Sequence, residues 1–177
     1  MSARGMIHGR FQPFHNGHLE YLKGAAERSE ELFVGITNPD PQRIKPEASD
    51  PLRHLPESNP YTYVERLLMV KAAAADAGID LARLHVIPFP VNEPELWRAY
   101  VPEDVVQFIR LFSDWGGTKL ERLREAGYEV VVLDEGVEKD VSGAEVRAAL
   151  REGGDWESLV PPGVAGVLRR VERITAV

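Results

Sequence analysis

The sequence predicts an α/β protein: a parallel sheet of five strands with helices on both faces. Three observations predict it. Short apolar runs alternate along the chain with segments of helical periodicity. Capping boxes mark two helix starts, Thr62-Tyr63-Val64-Glu65 and Ser142-Gly143-Ala144-Glu145. Gly78 and Gly127 stand where two helices should stop.

Met6 to Gly9 reads as a short buried strand, and Gly17 to Ser29 as a helix with Leu19, Leu22, Ala25 and Ala26 on one face. Glu31 to Thr37 is the second strand. The proline-rich stretch 38–60, with its alternating charges, is a long loop with little regular structure. A helix runs from the Thr62 cap to about Ala77, and Leu84 to Phe89 is the third strand. A short helix begins at Leu96 and is interrupted near Pro102. Gln107 to Ser113 is the fourth strand, Gly117 to Ala126 a helix, and Tyr128 to Leu133 the fifth strand. The Ser142 cap opens a helix through Leu150, and the tail at about 156–174 is helical after Pro162. Right-handed crossovers follow from this order, and ligands belong at the carboxyl ends of the strands, near the switch in strand order.

The chain has 177 residues, 44% of them apolar, which suits one domain with a real core. No apolar run approaches a membrane span, and the polar N-terminus is not a signal peptide. Cysteine is absent, so disulfides and thiolate metal sites are excluded, in keeping with a cytoplasmic location. A net charge of −7 argues against a nucleic-acid partner, so an anionic ligand needs a local basic pocket.

The most telling stretch is Gly9-Arg10-Phe11-Gln12-Pro13-Phe14-His15-Asn16-Gly17-His18-Leu19. It joins the first strand to the first helix and brings two imidazoles, a guanidinium and free backbone N–H groups to one turn. Such a turn suits a polyphosphate, because helix N-termini attract anions and His and Arg add donors. The plainer readings are a zinc pair or two surface histidines. Zinc needs three or four ligands, whereas His8, His54 and His85 are scattered. The second motif is Ser142-Gly143-Ala144-Glu145-Val146-Arg147, an ordinary capped helix start that also offers Ser142, exposed N–H groups and Arg147 to a phosphate. Gly116-Gly117-Thr118-Lys119 is no Walker loop, since the upstream glycine is missing, and there is no dinucleotide fingerprint.

Together the two motifs resemble the nucleotidyltransferase superfamily whose hallmark is a His-x-Gly-His turn and a distal Ser-x-x-x-x-Arg helix start. Within it, the chain is similar to archaeal-type nicotinamide mononucleotide (NMN) adenylyltransferases and to the related phosphonoformate-type cytidylyltransferases. The likeness rests on GRFQPFHNGHL, NPYTYVERLLMV, LW-x-x-YV at 96–101, EAGYEV at 125–130, SGAEVR and GDWESLVP at 154–161. It implies a single nucleotidyltransferase domain over residues 1–177 with a Rossmann-like sheet, binding a nucleoside triphosphate (CTP or ATP) with Mg2+. It implies that Arg10, His15, His18 and Arg147 are catalytic, and that Gly9, Arg10, Phe11, His15, His18, Ser142, Gly143 and Arg147 bind the nucleotide. Few protein ligands to the metal are expected, and no residue is named as one.

The departures from the family point at the acceptor. The 38–60 loop is longer than in relatives that use NMN. Val91-Asn92-Glu93-Pro94-Glu95 precedes Leu96-Trp97 where the family carries Asp and Asn, and Ser113-Asp114-Trp115-Gly116-Gly117 replaces Ser-Gly-Asn-Pro. The loop carries Arg43, Lys45, Arg53 and His54. They read either as solvated charges or as a lid bringing cations to a small anionic acceptor, with Trp97 as a stacking residue. Trp156 reads as packing for the last helix; Trp115 reads as packing, with a base or ribose as the sharper alternative. The resulting expectation is a CTP-dependent phosphonate cytidylyltransferase, with NMN adenylyltransferase as the alternative. Neither nucleic acid nor membrane is an expected partner, and a homo-oligomer is left open. A nucleotide-binding regulator without turnover is disfavoured by the intact His, Arg and Ser set.

Overall fold

The computed structural model describes residues 1–44, 46, 52, 54–111, 114–135 and 141–175, without the side chains of 114–118, 135 and 172–175. Strands β1 (Ser2–Gly9), β2 (Ser29–Thr37), β3 (Leu84–Phe89), β4 (Val106–Leu111) and β5 (Val130–Glu135) form one sheet of order β3-β2-β1-β4-β5. Every pairing is parallel. The order reverses between β1 and β4, so the switch point lies beside the end of β1. This is the expected Rossmann-like architecture.

The helices are α1 (Asn16–Ala26), α2 (Tyr63–Asp76), α3 (Asp114–Glu125), α4 (Gly143–Glu152) and α5 (Pro162–Thr175). One face of the sheet buries Ile7, Val34 and Ile36 with Leu22 of α1, Met69 and Ala73 of α2, and Val164 and Leu168 of α5. The other buries Met6, Ile109 and Phe89 with Leu123 of α3, Trp97 and Val101. β1 is covered on both sides, which is why Gly5 to His8 are buried consecutively rather than in alternation.

Several boundaries differ from the sequence reading. β1 begins at Ser2, not Met6, because the polar Ser2-Ala3-Arg4 stretch pairs in register with the start of β2, Ser2 against Ser29. The same pairing ends α1 early, at Ala26. The short helix expected from Leu96 is a 3-10 helix that starts at Pro94 and ends at Ala99. The 38–60 loop carries two 3-10 turns, Pro41–Arg43 and Pro56–Ser58, each opened by a proline that presets φ. β4 ends at Leu111; the remainder of that predicted strand, 112–113, lies outside the described residues. Trp156 packs against the core as expected.

Candidate active site

The histidine turn leaves β1 at the switch point. Phe11 holds a positive φ of 53°, rare for an aromatic residue. That sharp bend drops its ring into the core, fully buried. A Cβ on Gly9 would lie 3.0 Å from that ring. The Phe11 ring meets His18 edge-on, with centroids 4.9 Å apart, and Phe14 lies 5.4 Å from the same imidazole. The expected nucleotide contact of Phe11 is therefore restricted to its backbone, while its side chain props His18.

His15 caps α1 and is nearly buried. Its backbone N–H donates to Nδ1 of His18 at 3.3 Å. An amide only donates, so this Nδ1 is the acceptor and the proton of neutral His18 sits on Nε2. The two imidazoles stack, with centroids 3.6 Å apart and planes at 24°. Two cations at that distance would repel, and an anion beside them would relieve the repulsion. Gly17 makes the stack fit: a Cβ there would stand 3.2 Å from the His15 ring.

The second motif arrives at the same place. Ser142 caps α4; its hydroxyl accepts from the Glu145 N–H at 3.3 Å, and its own N–H donates to Glu145 Oε2 at 2.6 Å. Arg147 Nη1 donates to the Gln12 carbonyl at 2.5 Å across a separation of 135 residues. Burial pushes Arg147 below its ordinary pKa, and nearby Arg151 adds to this. A Cβ on Gly143 would lie 2.9 Å from that same Gln12 oxygen. Glycine is thus needed for the close approach of α4 to the histidine turn. Gly143→Ala is expected to cost about 1–3 kcal/mol in stability and to raise the KM for the nucleotide, read from melting curves and steady-state kinetics. An unshifted nucleotide KM would separate α4 from the site.

The hydrogen bonds from Ser142 hold the Glu145 carboxyl below its usual value of 4.5, with positive charge at His15 a smaller cause. A depressed carboxylate stabilises the fold above its unfolded pKa and loses that contribution as pH falls through the folded one. Glu145→Gln should therefore melt lower than the parent at neutral pH. The gap should close below about pH 4 in a series of melting curves.

Three residues passed over in the sequence hold the turn in place. Gln12 clasps Tyr61: its Nε2 donates to the Tyr61 carbonyl at 3.0 Å, and the Tyr61 N–H donates to its Oε1 at 2.9 Å. Arg66 of α2, 2% exposed, donates to the carbonyls of Arg10 (3.0 Å), Thr37 (2.7 Å), Asn38 (2.9 Å) and Thr62 (3.2 Å). Burial pushes its pKa down to about 10, so it stays charged at neutral pH. Arg110, at the end of β4, donates to the Gly17 carbonyl at 2.9 Å and pairs with Asp134 at 2.8 Å. A charged residue within an otherwise apolar helix face or strand end was the available signal.

On the acceptor side the structure corrects one expectation. Trp97 is no exposed stacking platform. It is 2% exposed, donates Nε1–H to the Pro90 carbonyl at 2.9 Å and packs against Phe89 and Tyr128. The 3-10 turn of Pro94–Ala99 drives the indole into the core. A cleft of about 170 Å3 opens instead among Asn38, Arg43, Val91, Asn92, Glu93 and Tyr100. Arg43 lines it, donating to Glu93 at 2.7 Å and tying the 38–60 loop to the segment after β3. His54 is half-buried and does not line the cleft. Lys45 and Arg53 lie outside the described residues, as does the side chain of Trp115.

Fold and turn together define the class: the protein is a nucleotidyltransferase. The chain belongs to the cytidylyltransferase-like family, whose sequence profile matches residues 6–149. It is 48% identical to the phosphonoformate cytidylyltransferase of Streptomyces viridochromogenes, over 99% of this chain and 97% of that one. It is 34% identical to the nicotinamide-nucleotide adenylyltransferase of Thermococcus onnurineus, over 98% and 86%. A crystal structure of a bifunctional NMN adenylyltransferase/ADP ribose pyrophosphatase from Francisella tularensis shares the fold with a TM-score of 0.72 at 17% identity, covering 97% of this chain. The chain spans half the length of that bifunctional protein. Among the described residues, no helix is long and apolar enough to cross a membrane.

Proposed function

We propose that the enzyme transfers a cytidylyl group from CTP to a small phosphonate acceptor and releases pyrophosphate. The observation that carries this is the 48% identity, running nearly end to end, with a phosphonoformate cytidylyltransferase. The size of the cleft supports it: about 170 Å3, lined by Arg43 with Asp40 and Glu93, falls below the several hundred Å3 typical of drug-sized ligands.

An oxygen of the acceptor phosphonate attacks the α-phosphorus, a new P–O–P bond forms, and the bond to the β-phosphate oxygen breaks with its electron pair on pyrophosphate. The nucleophile is already anionic, so positioning and charge neutralisation do the catalysis. The Nε2–H of His18 and the imidazole of His15 bond phosphate oxygens as charge builds. Arg10 and Arg147 hold the leaving end, and the free N–H groups of α1 and α4 face the anion. Among the described residues no three His, Cys, Asp or Glu side chains gather to hold a metal. Mg2+ accompanying the triphosphate would neutralise phosphate charge and, because it keeps its waters, would need few protein ligands.

The second reading, ATP with NMN, draws on the relatives at 34% identity. The buried Trp97 and the small cleft weigh against it. Crossing CTP, ATP, GTP and UTP with phosphonoformate, NMN and simple phosphate esters, and measuring pyrophosphate, tests both. CTP with phosphonoformate is expected to give the highest kcat/KM; preference for ATP with NMN selects the second reading.

A further inference from the structure

A second polar cluster lies outside the phosphate turn. His8 is the penultimate residue of β1 and is 3% exposed, and neither ring nitrogen has a hydrogen-bond partner. Burial keeps it neutral, with the Lys119 ammonium of α3 acting in the same direction and the Gln107 side chain opposing. Its neighbour across the switch point is Gln107 of β4, fully buried, with its Oε1 also unpartnered and its Nε2 turned to the Met6 sulfur at 3.3 Å. A buried imidazole without partners is costly. Valine or isoleucine would fill a strand position among Met6 and Phe89 without that cost.

The position gives the imidazole a use. His8 sits in register with Gly35 and packs against Phe89, with ring centroids 4.9 Å apart. A Cβ on Gly35 would come within 3.2 Å of the His8 Cβ and 2.9 Å of the Phe89 Cβ, so glycine makes room for this pairing. Phe89 leads directly into Pro90 and Val91, which line the cleft with Asn38. His8 therefore lies beneath the rim from which the cleft opens, on the face of the sheet shared with Met6 and Phe89.

We propose that His8 determines acceptor specificity: its imidazole, with Gln107 near it, hydrogen-bonds the non-reacting anionic end of a small acceptor such as a carboxylate-bearing phosphonate. This rests on the reading of the cleft as the acceptor's site. Both nitrogens are closed off in the present structure, so the acceptor reaches them by displacing the Phe89 ring or the segment that follows it. In the free enzyme neither ring nitrogen closes a hydrogen bond, with only the Gln107 side chain near, and an acceptor lacking that end leaves the imidazole in that state.

The test compares wild type, His8→Val and His8→Gln for acceptor KM, nucleotide KM and Tm, using the nucleotide and acceptor pair that the wild type turns over best. In His8→Val the acceptor KM should rise about tenfold, the size of one lost hydrogen bond. Its nucleotide KM should stay unchanged and its Tm equal or exceed that of wild type, because an unpaired buried polar group has gone. His8→Gln keeps a donor and should fall between. An unchanged acceptor KM in His8→Val, or both KM values moving together with a lower Tm, overturns the proposal. If the wild type prefers ATP with NMN, the phosphonate reading fails by itself. The same comparison run with NMN then decides the role of His8.

Discussion

His18→Ala is expected to slow pyrophosphate release about 100- to 1,000-fold, the usual cost of removing one donor aimed at developing charge. The fold should lose only about 1 kcal/mol, a typical cost for a side chain outside the deep core. His18 is half-buried, and its contacts with Phe11 and Phe14 are ring edges rather than a filled cavity. What alanine removes is an oriented donor. The His15 N–H holds Nδ1, which leaves the proton on Nε2 for a phosphate oxygen. His18→Gln restores an N–H donor and should recover part of the rate. Turnover near that of wild type in the alanine variant, with an intact melting curve, would sink the assignment.

Arg66→Met should be the most damaging single change to the fold. Methionine matches the aliphatic stem but leaves the carbonyls of Arg10, Thr37 and Asn38 without their shared donor. Unpaired buried carbonyls cost about 1–3 kcal/mol each. With partial relaxation the loss should be about 3–5 kcal/mol, measurable by urea unfolding. Activity should fall with it, because Arg66 joins the histidine turn at Arg10 to the cleft at Asn38. Arg66→Lys keeps the charge but not the planar fork, and it should recover only a minority of the stability. An Arg66→Met variant as stable as the parent would show that these bonds do not hold the turn.

Much of this protein was legible before any coordinates. Alternating apolar runs and capping boxes announced the parallel sheet, because strand burial and helix caps are written within a few residues of sequence. The histidine turn and the Ser142 helix were legible for the same reason, since each carries its donors within one turn of chain. Trp97 misled because a tryptophan next to a loop has the same local signature whether its ring faces ligand or core. Gln12 and Arg66 escaped notice because their partners are backbone groups of other segments, which nearly every residue type offers, and Arg110 because Gly17 and Asp134 meet it only in the fold.

By itself, then, the sequence determined the order of strands and helices and marked the histidine turn and the Ser142 helix start, since both follow from local periodicity and short-range hydrogen bonding. Only the tertiary structure decided that Arg147 reaches the Gln12 carbonyl, that Arg66 joins two strand ends, and that a buried His8 packs against Phe89. Those facts depend on chain segments meeting across the sheet, and the energy of such a meeting belongs to the pair rather than to either segment alone.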